Sequence, residues 1–233
     1  MIGEKMSGNM NVDIEDLARA GLNKYTRKAF RMLPPLDRPC ILDVGCGRGV
    51  PTMELARLSQ GQVTGLDIHQ PSLEAFKQKI EAAGLSHWVR AVNCSMFYMN
   101  FPDETFDIIW SEGSISVLGF QKGLKEWRRF IKPHGFLVVH EGINKVPGKP
   151  DQVITQYGYD FIGQFILSAD TWWTEYYAPM EKPTREPGNK YTGNPGTLTS
   201  LDQEQRETCN FKKYYGKKKY GIYASMFLVM QKQ

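Results

Sequence analysis

Two carboxylates about twenty residues apart, with alternating glycines between them, are the first residues in this chain whose spacing points to chemistry. Asp43 ends an apolar run that begins at Ile41, and Gly45, Gly47 and Gly49 follow at every second position. Such a turn takes positive φ and lies against a ligand where any side chain would clash, so it suits a nucleotide-like molecule. Asp67 closes the next apolar run, Gln62 to Leu66, where an acidic side chain can accept hydrogen bonds from ribose hydroxyls. Glu112 follows Phe106–Trp110, and His140-Glu141 end the run that begins at Gly135. Active groups of open α/β sheets gather beyond the carboxyl ends of the strands, so these three are the candidate bases or acceptor-binding groups.

The elements that must position them follow from periodicity. Strands are expected at 41–44, 62–66, 88–93, 106–110 and 135–140, with helices at 51–58, 71–83 and 121–131 between them. In the last helix Leu124, Trp127, Arg128 and Ile131 are spaced to face the sheet. One or two helices occupy 13–33, before Pro34-Pro35. Alternation of this kind implies parallel pairing and an α/β, doubly wound, Rossmann-like sheet with helices on both faces. Beyond a loop at 142–150 the pattern weakens. A helix near 151–157, a strand near 161–167, a helical segment around 171–182, a turn-rich stretch at 183–199, a helix over 201–215 and a last strand at 222–230 are the expectation. A chain of 233 residues fits one domain spanning 1–233, with a substrate-side insertion around 142–215.

A dinucleotide fingerprint would need its third glycine at position 50, which is Val50. The whole pattern of Asp43, the three glycines, Asp67 and Phe106-Asp-Ile-Ile-Trp110 after a Phe-Pro-Asp-Glu turn instead resembles a class I S-adenosylmethionine-dependent methyltransferase, over roughly residues 38–141. The string Asp-Ile-Ile-Trp-Ser-Glu-Gly-Ser is similar to a subgroup often placed with quinone-biosynthesis enzymes. The resemblance implies S-adenosylmethionine as cofactor, S-adenosylhomocysteine as product, a small-molecule methyl acceptor and an antiparallel pair of last strands. It further implies that Gly45, Cys46 and Gly47 present backbone to the amino-acid end of the cofactor while Asp43 holds its ammonium. Ile68 and His69 would pack along the nucleoside, and Ser111 would pass close to the methionine moiety. Where the family usually carries an adenine-binding aspartate this chain has Ser95, so adenine contact would rest on Ser95 and the backbone around Met96 and Phe97.

Methyl transfer from a sulfonium needs mainly alignment of nucleophile, methyl and sulfur, plus a base where the acceptor carries a proton. The aromatic cluster Trp172-Trp173-Thr-Glu-Tyr176-Tyr177 suits a wall for a planar or cationic acceptor. Composition adds bounds. Four cysteines lie far apart without a C-x-x-C pair, which speaks against a metal site and a disulfide framework and for a reducing cytoplasm. No apolar leader or membrane-length run is present in the sequence. The net charge of +4 owes much to the segment Phe211–Tyr220, where lysines alternate with tyrosines. That segment motivates the rival reading, methylation of RNA or protein. A non-catalytic S-adenosylmethionine sensor is the other rival.

Overall fold

In the computed structural model, which describes residues 14–181 and 224–233, the apolar runs join one seven-stranded sheet. Two helices, α1 (Ile14–Gly21) and α2 (Asn23–Phe30), precede β1 (Cys40–Val44), α3 (Val50–Ser59), β2 (Gln62–Asp67), α4 (Gln70–Ala82), β3 (Val89–Asn93) and β4 (Phe106–Glu112). Short α5 (Ile115–Leu118) and α6 (Phe120–Trp127) lead to β5 (Ile131–Gly142), α7 (Pro150–Gln156) and β6 (Tyr159–Leu167). The helical stretch after β6 begins as α8 (Ala169–Trp172), widens into a π turn over Trp173–Tyr177 and ends as α9 (Ala178–Glu181). The last strand is β7 (Ser225–Lys232).

The strand order is β3-β2-β1-β4-β5-β7-β6. β1 to β5 pair in parallel, and β7 runs antiparallel to both of its neighbours. The order reverses between β1 and β4, so their carboxyl ends open a crevice at the switch point. Core residues lie on both faces. Leu42, Ile109 and Leu137 pack on one side with Leu124 and Trp127, while Ile41, Ile108 and Val138 pack on the other with Leu55, Phe76 and Phe227. Burial on both faces is why the central strands read as continuous apolar runs rather than alternating ones.

Two boundaries differ from expectation for physical reasons. The helix expected over 121–131 ends at Trp127 and tightens into a 3-10 turn, Arg128–Phe130. The Arg128 guanidinium reaches the end of the sheet, donating to the Gln233 carbonyl at 2.9 Å and lying over the Tyr159 ring of β6. β5 starts at Ile131 rather than 135, because fully buried Ile131 pairs with Phe106, and His134 at φ 60° absorbs the irregularity. The expected stretches 183–199 and 201–215, the Lys/Tyr-rich segment 211–220 and positions 222–223 lie outside the described residues.

Candidate active site

The turn after β1 is built by three glycines with positive φ, Gly45 at 76°, Gly47 at 51° and Gly49 at 77°. They serve different ends. A Cβ on Gly45 would meet Ser114 at 2.4 Å, and one on Gly49 would meet the Phe76 ring at 2.0 Å, so both are required by packing. A Cβ on Gly47 would meet nothing within 4 Å, so this residue alone turns an open face toward a ligand. Asp67 braces the turn from β2. Its Oδ2 accepts the Gly47 N–H at 2.8 Å and its Oδ1 accepts the His69 N–H at 2.9 Å.

Asp43, at the end of β1, is buried and accepts the Thr52 hydroxyl at 2.6 Å. Burial pushes its carboxyl up to about 7; the Thr52 hydrogen bond opposes this and the Glu112 charge adds to it. Of the nearby charges, the Arg19 guanidinium favours its ionised form while Glu112 and Asp67 oppose it. Burial likewise pushes the neighbouring Cys46 thiol far up, which makes it an inert packing group. Above the turn lies α1. Its Asp16 takes Arg48 Nε at 3.0 Å and pairs with Lys79, and its Arg19 pairs with Glu112. Together these groups enclose a cavity of about 190 Å³ lined by Asp16, Arg19, Asp43, Gly45 to Arg48, Glu112 and Tyr176.

A second cavity, of about 470 Å³, opens beyond β4 and β5. Glu112, His140, Glu141, Lys145 and Ser225 form its polar side, and Trp172, Tyr176 and Tyr177 its aromatic wall. Arg19, Glu112 and Tyr176 line both cavities, so the two are neighbours on either side of these residues.

Glu112 is buried among donors. Its Oε1 accepts Thr26 Oγ1 and Trp110 Nε1, each at 2.8 Å, and its Oε2 faces Arg19 and, at 3.7 Å, His140 Nδ1. Burial, the largest single influence, would raise its pKa, but the Arg19 guanidinium, His140 and Trp110 together outweigh it and hold the carboxyl at about 2. His140 lies flat between Phe227, 4.1 Å from ring to ring, and Trp172 at 5.7 Å. Its Nε2 is 2.7 Å from Ser225 Oγ. Burial lowers its pKa against the pull of Glu112, so the ring is neutral at rest. Glu141 accepts the Ser116 and Gly142 N–H groups at 3.2 and 2.9 Å, with Lys145 Nζ 3.6 Å away.

Of the expected site residues, Asp43, Gly45, Cys46, Gly47 and Glu112 thus line the first cavity, and Glu112, His140 and Glu141 the second. Asp67, Ile68, Ser95, Met96 and Ser111 line neither. Ile68 is 69% exposed beside Asp67, and its carbonyl accepts Asn93 Nδ2. Ser95 opens a turn, its Oγ accepting the Phe97 N–H at 3.2 Å, and Met96 packs toward the core. Ser111 is fully buried and bonded to Ser114, the residue pressed against Gly45, so it props the glycine turn from behind. Sequence reading missed Asp16, Arg19 and Ser225. The first two carried a signal, since charges three residues apart on one short helix share a face; Ser225 carried none.

A family model for a methyltransferase domain matches residues 41–135, from β1 into β5. Over that segment the chain is similar to a methyltransferase domain. Among curated relatives of this domain, the ubiquinone/menaquinone biosynthesis C-methyltransferase UbiE of Marinomonas sp. (strain MWYL1) is 33% identical over 63% of this chain and 60% of that protein. The sterol 24-C-methyltransferase erg6 of Aspergillus fumigatus is 33% identical over 43% of this chain and 27% of its own. The chain therefore spans between 27% and 60% of the length of these two relatives. A solved structure titled as the [4+2]-cyclase SpnF superposes with a TM-score of 0.69 at 19% identity, covering 90% of this chain and 81% of that one. That likeness shows the fold, which also serves a cyclase. Within the matched segment, Gly47 presents an open face and Asp43 a buried carboxylate to the first cavity. No helix among the described residues is long and apolar enough to cross a membrane.

Proposed function

We propose that this chain transfers a methyl group from S-adenosylmethionine to a small-molecule acceptor held in the larger cavity. The observation that carries the reading is that Arg19, Glu112 and Tyr176 line both cavities, which sets a cofactor on the glycine turn next to an acceptor against the aromatic wall. Asp43 binds the cofactor's ammonium, the Gly45–Gly47 backbone lies along its amino-acid end, and Asp67 takes the ribose hydroxyls while bracing Gly47. Ile68 and the Ser95–Met96 turn flank the base, with Ser111 supporting the turn from below. When bound, the cofactor supplies an electrophilic methyl on a good neutral leaving group. The chain's residues orient the acceptor, exclude water and accept its proton.

Within that reading Glu112 is a positioning residue rather than the base. A carboxylate already facing Arg19, Thr26, Trp110 and His140 has little basicity left near neutral pH. It holds α1 over the cofactor and holds His140 in place. Glu141, bonded to two backbone N–H groups, orients the loop after β5. An aromatic wall beside paired charges suits an acceptor of the quinone or sterol kind that the relatives' names describe, small and largely apolar. We take the described residues 142–181, which carry the wall, as the part within view of the substrate-side insertion expected around 142–215 of a single 1–233 domain, and the free thiols Cys40, Cys46 and Cys94 suit a cytoplasmic setting. Incubation with methyl-labelled S-adenosylmethionine and extract of the source organism tests the function. Label is expected among small molecules; label confined to RNA or protein, or none despite measurable cofactor binding, refutes it.

A further inference from the structure

We propose that Ser225 takes the proton of the methyl acceptor and passes its own to His140, so that a hydroxyl from the last strand completes the acceptor site. The inference rests on the methyl-transfer reading and concerns an acceptor whose reacting atom carries a proton.

Hydrogen-bond accounting sets the directions. Trp172 Nε1 can only donate, and at 2.8 Å it fills one lone pair of Ser225 Oγ. Glu112 Oε2, 3.7 Å from His140 Nδ1, is too far for a hydrogen bond but near enough to favour a proton on that nitrogen. His140 Nε2 is then the acceptor at 2.7 Å, and the Ser225 O–H points to it, an assignment made from the partners. The hydroxyl is left with one unfilled lone pair, and Ser225 lines the 470 Å³ cavity. That lone pair is where an acceptor's proton can land.

The imidazole is built to receive it. Phe227 and Trp172 lie nearly parallel to the ring, at 5° and 7°, so it exchanges protons without swinging. Glu112 from β4 and Glu141 beside it on β5 favour the charged ring, while Arg19 from α1 opposes it and burial keeps it neutral until a proton arrives.

The step balances. Ser225 Oγ takes the proton of the acceptor's X–H bond as its own proton moves to Nε2. The X lone pair forms the new bond to carbon while the carbon–sulfur pair returns to sulfur. One positive charge leaves the sulfonium and one appears on His140, beside Glu112.

Initial rates of label transfer from methyl-labelled S-adenosylmethionine into a small-molecule extract, followed against pH, compare wild type with Ser225→Ala and Ser225→Thr. Calorimetry with S-adenosylhomocysteine serves as the control for folding. Ser225→Ala is expected to bind the product as wild type does, to lose roughly 10²- to 10⁴-fold in rate, and to lose the acidic limb that His140 gives the profile. Ser225→Thr, which keeps a hydroxyl, should recover both. Isotope-edited NMR of labelled histidine reads the tautomer without any acceptor, and His140 should carry its proton on Nδ1. A proton on Nε2, or a Ser225→Ala rate and profile equal to wild type, overturns the relay and leaves methyl transfer standing. A wild type that binds cofactor and labels nothing overturns both.

Discussion

Replacing Asp43 by asparagine removes a charge while keeping the shape, and the site dictates how stability should then vary with pH. In the folded protein burial raises this carboxyl from its ordinary 3.8 to about 7. A raised carboxyl pKa means that folding prefers the protonated form. Its favourable contribution is complete below 3.8, is lost as pH climbs from 3.8 to about 7, and stays lost above that. The full gap corresponds to about 4 kcal/mol, an order-of-magnitude figure. Asparagine escapes this cost and still accepts the Thr52 hydroxyl, but its new N–H₂ group needs a partner, at about 1–3 kcal/mol independent of pH. Urea unfolding of both proteins at several pH values therefore reads the slope rather than the offset. Asp43→Asn should gain on wild type by about 2–4 kcal/mol between mildly acidic and mildly alkaline buffer, and calorimetry should show that cofactor affinity falls at least tenfold. A stability difference that does not change with pH would show that the buried carboxylate carries no such penalty, and the case for Asp43 as a cation seat would go with it.

Three further outcomes follow from the same geometry. Glu112→Gln should destabilise the protein by about 3–5 kcal/mol near neutral pH, by leaving Arg19 without its counter-charge. Because the Glu112 carboxyl is lowered from 4.5 to about 2, that contribution is present above 4.5 and lost as pH falls through about 2, so denaturation curves of the two proteins should converge in acid. Gly49→Ala should lower the melting temperature through collision with Phe76, whereas Gly47→Ala should cost only about 1–2 kcal/mol of backbone strain yet weaken cofactor binding in calorimetry. Asp67→Ala should weaken cofactor affinity by about 1–3 kcal/mol, and unchanged affinity would remove Asp67 from the ribose.

The first half of the fold was legible because its signals are local. Apolar runs, punctuating glycines and Asp67 lie within one βαβ unit, and each element sits within a few residues of expectation. Legibility fades where pairing is remote. Arg128 matched a helical period, but the partners it reaches, the Gln233 carbonyl and the Tyr159 ring, lie in no window around residue 128. In the site, Asp43, the glycines and the carboxylates stood out by type and spacing. That Glu112 is neutralised by Arg19, 93 residues earlier, and that Ser225 meets His140 across 85, are facts of topology alone. The aromatic cluster 171–177 declared itself by density, but its place as a cavity wall depended on where β6 ends.

The position of β7 between β5 and β6 has a consequence for synthesis. β5 emerges from the ribosome long before the strand that flanks it, so its fully apolar stretch Leu137–Val139 must wait as an open edge while some eighty residues are added. Pairing across so long a separation is slow. The cofactor half of the molecule can close first, and the acceptor chamber can acquire its hydroxyl and seat its histidine only when β7 slots home. On the methyl-transfer reading proposed above, a nascent or clipped chain would have a cofactor turn without an acceptor chamber, and aggregation through the β5 edge is the hazard that expression at lower temperature should relieve.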